Sequence, residues 1–116
     1  MSSIKRLHVG PRLSEIVVHE HTVYLAGQIA ENIAADAEGQ AREILASIDR
    51  LLTQVGSSKT KILSAMIFVS DMRNFAAMNK AWDQWIPRDH TPARATVEAK
   101  LATPAHLVEI KIVAAL

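Results

Sequence analysis

The sequence of 116 residues contains no cysteine, which excludes disulfide bonds, thiolate nucleophiles and thiolate metal sites. Aromatic residues make up only 4% of the chain, so a core must be built mainly from aliphatic side chains within an apolar content of 49%. Neither positive nor negative charge is in clear excess. Thirteen basic and twelve acidic residues leave a net charge of +1, which argues against nucleic acid or an anionic membrane as a partner.

Long apolar runs are also absent. No segment approaches the roughly 20 apolar residues that a transmembrane helix needs, and residues 1–6 are not followed by the apolar stretch of a signal peptide. We therefore expect a soluble, cytoplasmic protein with no membrane partner. The length predicts one domain over residues 1–116. The five histidines show no metal-ligand spacing, and we expect neither a metal nor a cofactor.

Hydrophobic periodicity predicts two helices and six strands. The first helix would run from the N-cap Asp36 to Gly56, and the second from the N-cap Asn74 to near Pro87. Helices separated by strands predict an α+β two-layer sandwich, in which both helices cover one face of a mixed sheet and the other face packs against further copies of the chain. The predicted strands are residues 4–9, 15–19, 22–26, 62–69, 93–98 and 107–114.

Arg94 and Glu109 are the strongest candidates for a functional site. Arg94 has small neighbours at the start of one predicted strand, and Glu109 interrupts an apolar strand that follows a short loop. Arginine offers a planar fork of donors that matches a carboxylate. We expect the two strands to bring both side chains close together, as an anion clamp beside a general base or water-holding group. Gly27 is expected to mark a bulge or a close backbone approach.

Six short segments carry a resemblance to a known family over essentially the whole chain. They are Ala26-Gly27-Gln28, Gln40-Ala41, residues 67–72, residues 75–79, Pro92-Ala93-Arg94 and Val108-Glu109-Ile110. In this order and spacing they resemble the RidA family, also called YjgF or L-PSP proteins, and residues 75–82 and 108–115 look like its YoaB-type branch. The resemblance implies a chorismate-mutase-like (RidA-like) fold and a homotrimer with ligand clefts between subunits.

The resemblance also implies an activity without a cofactor: hydrolysis of reactive 2-imino or 2-enamino acids, such as 2-aminoacrylate, to 2-keto acids and ammonia. Arg94 would bind the substrate carboxylate and Glu109 would hold the attacking water. Asn79 and Gly27 would also contribute to substrate binding.

Several positions depart from the best-known family pattern. Arg12 stands where a tyrosine is frequent, Ala26 where a serine is common, and Thr96 where a cysteine is common. Arg12 and Ser14 look like the Arg-x-Ser opening of the YoaB-type branch, so both are candidate substrate-binding residues, as is Thr96.

Structural interpretations of the same residues remain open. Arg94 could belong to a surface salt bridge, and Glu109 could pair with Lys111 or with Arg94 itself. Asn79 could be an ordinary helix-surface amide, and Trp82 is expected to serve packing. Two other functions also remain open. One is a non-catalytic trimer that binds small carboxylates. The other is a ribonuclease or translation inhibitor, against which the near-neutral charge argues.

Overall fold

Two helices lie on one face of a seven-stranded mixed sheet in a computed structural model of the chain, which describes residues 3–116. The helices are α1 (Ala37–Gln54) and α2 (Phe75–Trp85). The predicted α+β two-layer sandwich is therefore confirmed. The strands are β1 (Ile4–Val9), β2 (Ser14–His19), β3 (Thr22–Leu25), β4 (Gln28–Ile29), β5 (Ile62–Val69), β6 (Ala93–Glu98) and β7 (Val108–Ala115).

The strand order is β1-β2-β3-β7-β5-β6, with β4 also paired to β7. The pairing of β5 with β6 is parallel, and α2 is the crossover between them, while β7 runs antiparallel to β5. All six predicted strands are present. The additional strand β4 has two residues, which is too short for a periodicity to reveal.

The core lies between the helices and the sheet. Alternate residues of β7, Val108, Ile110 and Ile112, are fully buried, as are Ile44 and Ile48 of α1. This follows from the two-residue period of a strand and the helical spacing of α1. The helices leave the other sheet face, which we call the open face, uncovered. Its exposed apolar side chains include Tyr24, Met66 and Val97.

The ends of the helices show which polar residues cap them. The Asp36 side chain accepts a hydrogen bond from the Gly39 amide at 2.8 Å, as predicted, and Gly56 adopts a positive φ of 80° beyond the end of α1. Asn74 therefore has the predicted N-cap position of α2, but it does not form the hydrogen bond of a capping side chain. The preceding 3-10 turn is capped instead by Asp71, which accepts from the Arg73 amide.

Gln40 joins α1 to the loop before β7. Its side chain is fully buried, with Nε2 donating to the carbonyls of Ala35 (3.1 Å) and Ala105 (2.9 Å), while Oε1 accepts from the Leu107 amide at 2.9 Å. These bonds hold the chain immediately before β7.

Replacing Gln40 by alanine is expected to destabilise the protein strongly. Gln40→Ala removes the partners of three part-buried backbone groups and leaves a void where a fully buried side chain stood, so we expect the free energy of unfolding to fall by about 2–4 kcal/mol. Urea denaturation measures this value. The exposed Gln54 of the same helix is the matched control, and Gln54→Ala should cost no more than about 0.5 kcal/mol. Equal losses in the two variants would contradict the structural role of Gln40.

Two further features bear on function. No helix within residues 3–116 is both long and apolar enough to cross a membrane. In the same part of the chain, no group of three or more His, Cys, Asp or Glu side chains is arranged to hold a metal ion.

Candidate functional site

Arg94 lies on the sheet face that α2 covers. In the parallel register, Arg94 stands beside Ala65, which is buried under the helices, and residues paired in this way point to the same face. Arg94 Nη1 donates to Oδ1 of Asn79 at 2.8 Å. Its Cζ lies 5.3 Å from the ring centroid of Trp82 and 6.0 Å from that of Phe75. The helix α2 therefore orients the guanidinium, which keeps further N–H donors for a ligand.

Thr96 accompanies Arg94 on this face. It pairs with Ile67, whose side chain is fully buried among the core residues. The Thr96 hydroxyl oxygen is buried and has no hydrogen-bond partner among the described residues. Buried polar atoms are normally satisfied, so this hydroxyl is an exception within the Arg94 neighbourhood. Arg94, Asn79 and Thr96 thus form one group of site candidates, which we call the arginine half.

Glu109 lies on the open face. It pairs with Phe68 of β5, while its neighbours Val108 and Ile110 are fully buried on the helix side. A cavity of about 270 Å³ is lined by Glu109, Phe68 and residues 99–102. Within residues 3–116 the Glu109 carboxylate forms no hydrogen bond or ion pair, so it is available to a ligand or a water molecule. We call Glu109 and its surroundings the glutamate half.

Gly27 contacts the glutamate half directly. A Cβ atom at Gly27 would clash with Oε2 of Glu109 and lie 3.1 Å from its Cδ. The register with β7 also changes here. Between the pairs Tyr24↔Val113 and Gln28↔Ile110, the chain running from β3 to β4 advances by four residues while β7 advances by three. Both alternatives expected for Gly27 are therefore confirmed, because it lies in a bulge and at a close backbone approach.

The expectation that Arg94 and Glu109 lie close together in one chain is wrong. The connection between β6 and β7 does not form a hairpin, because β5 lies between them in the sheet. The two side chains also project from opposite faces. The alternative salt-bridge interpretations fail as well, since no ion pair involves Arg94 or Glu109 in the described chain, and Lys111 Nζ donates to the Leu25 carbonyl at 3.1 Å.

Arg12 and Ser14 lie apart from the arginine half. Arg12 is exposed in a turn closed by the Gly10 amide bonding to the Leu13 carbonyl, and Ser14 is half-buried at the start of β2. The next residue, Glu15, accepts the Ala26 amide through its carbonyl at 2.9 Å. The start of β2 therefore lies beside the bulge that contains Gly27, although neither Arg12 nor Ser14 is hydrogen-bonded to Arg94 or Glu109 within residues 3–116.

Three residues gain a site role that sequence patterns did not indicate. Trp82 was expected to serve packing, and it is indeed buried, but together with Phe75 it also flanks the Arg94 guanidinium. The spacing of Phe75, Asn79 and Trp82 places them on one helix face, which is a usable signal. Lys100 lines the cavity beside Glu109. Nothing in its local sequence could have revealed that position.

A larger cavity, of about 860 Å³, lies elsewhere. It runs beside α1 and touches Gly27, but neither Arg94 nor Glu109 lines it. One of its carboxylates, Glu43, already accepts the amides of Glu31 and Asn32. Size alone therefore does not select this cavity as the functional site.

The family model described as endoribonuclease L-PSP matches residues 3–116. The chain belongs to this family. Among curated relatives, the L-PSP family chain is 49% identical to the RutC family protein YoaB of Escherichia coli, over 97% of this chain and 98% of the relative. It is 47% identical to a RutC family protein of Haemophilus influenzae, with 97% of each chain covered.

Solved structures agree with this assignment. A member of the YjgF protein family from Neisseria meningitidis superimposes with a TM-score of 0.95 at 43% identity, covering 97% of this L-PSP family chain and 94% of the other. An uncharacterized protein from Pseudomonas aeruginosa gives the same TM-score at 41% identity, with 97% and 98% covered. The predicted family is therefore confirmed.

Proposed function

We propose that the protein is a homotrimeric, cofactor-independent enamine/imine deaminase, which converts small 2-imino or 2-enamino acids to 2-keto acids and ammonia. Its sites lie between subunits, with the arginine half from one protomer and the glutamate half from its neighbour. The observation that carries this proposal is that Arg94 and Glu109, neither of which forms an ion pair within residues 3–116, lie on opposite faces of the same sheet. A small ligand cannot contact both within one chain, but it can do so between two.

The reaction requires only modest help from the protein. Water attacks the imine carbon C2, forming a C–O bond while the C=N double bond becomes a single bond and its nitrogen takes up a proton. The resulting carbinolamine loses its hydroxyl proton as the C–N bond breaks, so a 2-keto acid and ammonia leave. Every atom comes from the substrate and one water. Positioning and proton transfer are the contributions that the site must make.

The charged groups suit these steps. The fork of Arg94 binds the substrate carboxylate, and the Glu109 carboxylate accepts a hydrogen bond from the attacking water. Asn79 acts as a positioning residue, because its Oδ1 already accepts from Arg94 Nη1. Thr96 offers its unpaired hydroxyl beside the arginine. Gly27 lies against the Glu109 carboxylate and would form part of its wall. Arg12 lies in the turn before β2 and Ser14 at the start of that strand, and both would contact the ligand from there.

A direct assay tests this function. 2-Aminoacrylate is generated in place by a PLP-dependent dehydratase, and the release of keto acid is followed with wild type, with Arg94→Ala and with buffer. We expect wild type to accelerate release and Arg94→Ala to lose most of that acceleration, because the charged clamp is gone. Arg6→Ala, on the exposed edge strand β1, is the matched control and should behave as wild type. Equal rates for wild type and buffer would refute the proposal.

The second candidate is a non-catalytic protein that binds small carboxylates. It is favoured by the arginine half being complete within one protomer, since α2 and β6 alone orient Arg94. Saturable binding of pyruvate without turnover of any imino acid would support it. The name endoribonuclease L-PSP points to RNA, but the net charge of +1 offers little for phosphate contacts.

A further inference from the structure

We propose that Lys100 binds a second carboxylate on the substrate, so that the preferred substrates are 2-imino dicarboxylic acids. This inference rests on the proposed function, because it assigns the side-chain pocket of that same site. The pocket is the cavity beside Glu109, lined by Phe68 and residues 99–102.

The position of the pocket makes it a candidate for the substrate side chain. Glu109 is one of its walls, so a molecule attacked by water held there would extend into it. Its volume of about 270 Å³ is just below the range of roughly 300–1,000 Å³ found for drug-sized ligands, which suits a short-chain acid. The amide of Ala99 donates to the Val69 carbonyl at 2.9 Å, which ties the start of the 99–102 segment to the end of β5.

The pocket lining combines apolar side chains with two charged ones, Lys100 and Glu109. Phe68, Leu101 and two alanines supply apolar contacts for methylene groups, and Lys100 supplies the only cation in this lining. Lys100 is exposed and forms no hydrogen bond or ion pair in the described part of the chain. Its ammonium group is therefore free to meet an anion.

Lys100 would balance the negative charge that a dicarboxylic substrate brings close to Glu109. A second substrate carboxylate placed near Glu109 meets a like charge, which raises the free energy of the bound state. A lysine in the same pocket offsets that repulsion. Without it, the pocket would favour substrates with an uncharged side chain.

Lys111 is the matched control for this charge effect. It lies on the same face, two residues along β7 from Glu109, and carries the same charge, but its Nζ is held by the Leu25 carbonyl. It does not line the pocket. Removing its charge therefore tests whether a general positive potential, rather than a contact from Lys100, sets the preference.

The experiment compares two substrates of equal chain length. Amino-acid oxidases generate 2-iminoglutarate from glutamate and 2-iminopentanoate from norvaline, and semicarbazide captures the imine that is left unhydrolysed. We expect wild type to favour 2-iminoglutarate in kcat/KM. Lys100→Gln should reduce that preference about 10-fold, in keeping with one lost charge-assisted contact, while Lys111→Gln changes it less than about 3-fold. Lys100→Glu should reverse it.

The outcomes separate this inference from the proposed function. Turnover of 2-iminopentanoate with a preference unchanged in Lys100→Gln and Lys100→Glu overturns the role of Lys100 and leaves the deaminase intact. Equal effects of Lys100→Gln and Lys111→Gln overturn it too. If no imine is turned over, calorimetry with 2-oxoglutarate and 2-oxopentanoate decides. Tighter binding of 2-oxoglutarate that Lys100→Gln abolishes supports the contact between Lys100 and a second carboxylate, and equal binding of the two acids overturns it.

Discussion

Mixing protomers that carry Arg94→Ala with protomers that carry Glu109→Gln is expected to restore activity that neither variant has alone. Each variant should lose roughly 100-fold or more, since one lacks the carboxylate clamp and the other the group that holds water. Arg94 and Glu109 face opposite sides of one sheet, so each proposed site takes one residue from each of two protomers. In the proposed trimer, some interfaces between mixed protomers pair an intact arginine with an intact glutamate.

The size of the effect follows from counting interfaces. With equal amounts and free exchange in a closed ring, about a quarter of the sites combine both wild-type residues. The variants are mixed, dissociated in mild urea and reassembled before the assay of imine hydrolysis. Activity that stays at the level of the single variants after exchange would show that the site lies within one chain.

A control mixture shows whether exchange has taken place. Wild type mixed with the double variant Arg94→Ala/Glu109→Gln should fall on exchange from about half of the wild-type activity to about a quarter, because intact protomers become separated. If both residues served one site within a chain, this mixture would keep its initial activity. The two mixtures therefore change in opposite directions only when the site is shared.

Gly27→Ala is expected to abolish most activity while leaving the fold intact. The added Cβ would occupy the space of the Glu109 carboxylate, so that side chain must move away from the bulge. Displacement of a catalytic group by about 1 Å can cost on the order of 100-fold in rate. We expect that loss in kcat, and a change of no more than about 1 kcal/mol in the free energy of unfolding.

Two comparisons identify the cause of that loss. Gly39→Ala adds a methyl group in α1 that meets the Ala35 Cβ at 3.0 Å, far from Glu109 in the chain, and it should retain activity. Adding Glu109→Asp to Gly27→Ala shortens the side chain by one methylene, which relieves the clash and should recover part of the rate. Full activity in Gly27→Ala alone would contradict the importance of this close approach.

The sequence allowed most of the elements to be predicted, because their periodicity is clear. The stripe of apolar residues in α1 and the alternation of β7 indicate which side of each faces the core. Alternation also places Glu109 opposite the buried Val108 and Ile110. These inferences need only local information.

The sequence could not predict in the same way which side of β6 faces the core, nor which strand β6 pairs with. Its apolar residues Ala93, Ala95 and Val97 alternate with polar ones, and a half-buried strand would normally turn the apolar set inward. Here the polar set, including Arg94, lies under α2, and the apolar set lies on the open face beside its other exposed apolar side chains. The insertion of β5 between β6 and β7 depends on long-range pairing, which local patterns do not contain.

The two sheet faces also separate the residue that would bind the substrate carboxylate from the segment that would line the side-chain pocket. The arginine and its supports Asn79 and Trp82 belong to one βαβ unit, formed by β5, α2 and β6. Residues 99–102 lie in the connection from β6 to β7, beside Phe68 and Glu109. Under the proposed function, substitutions in that connection would alter selectivity without disturbing the arginine that would bind the carboxylate. If Lys100 sets the preference as proposed, changes in this one short segment would be enough to alter which acids the site accepts.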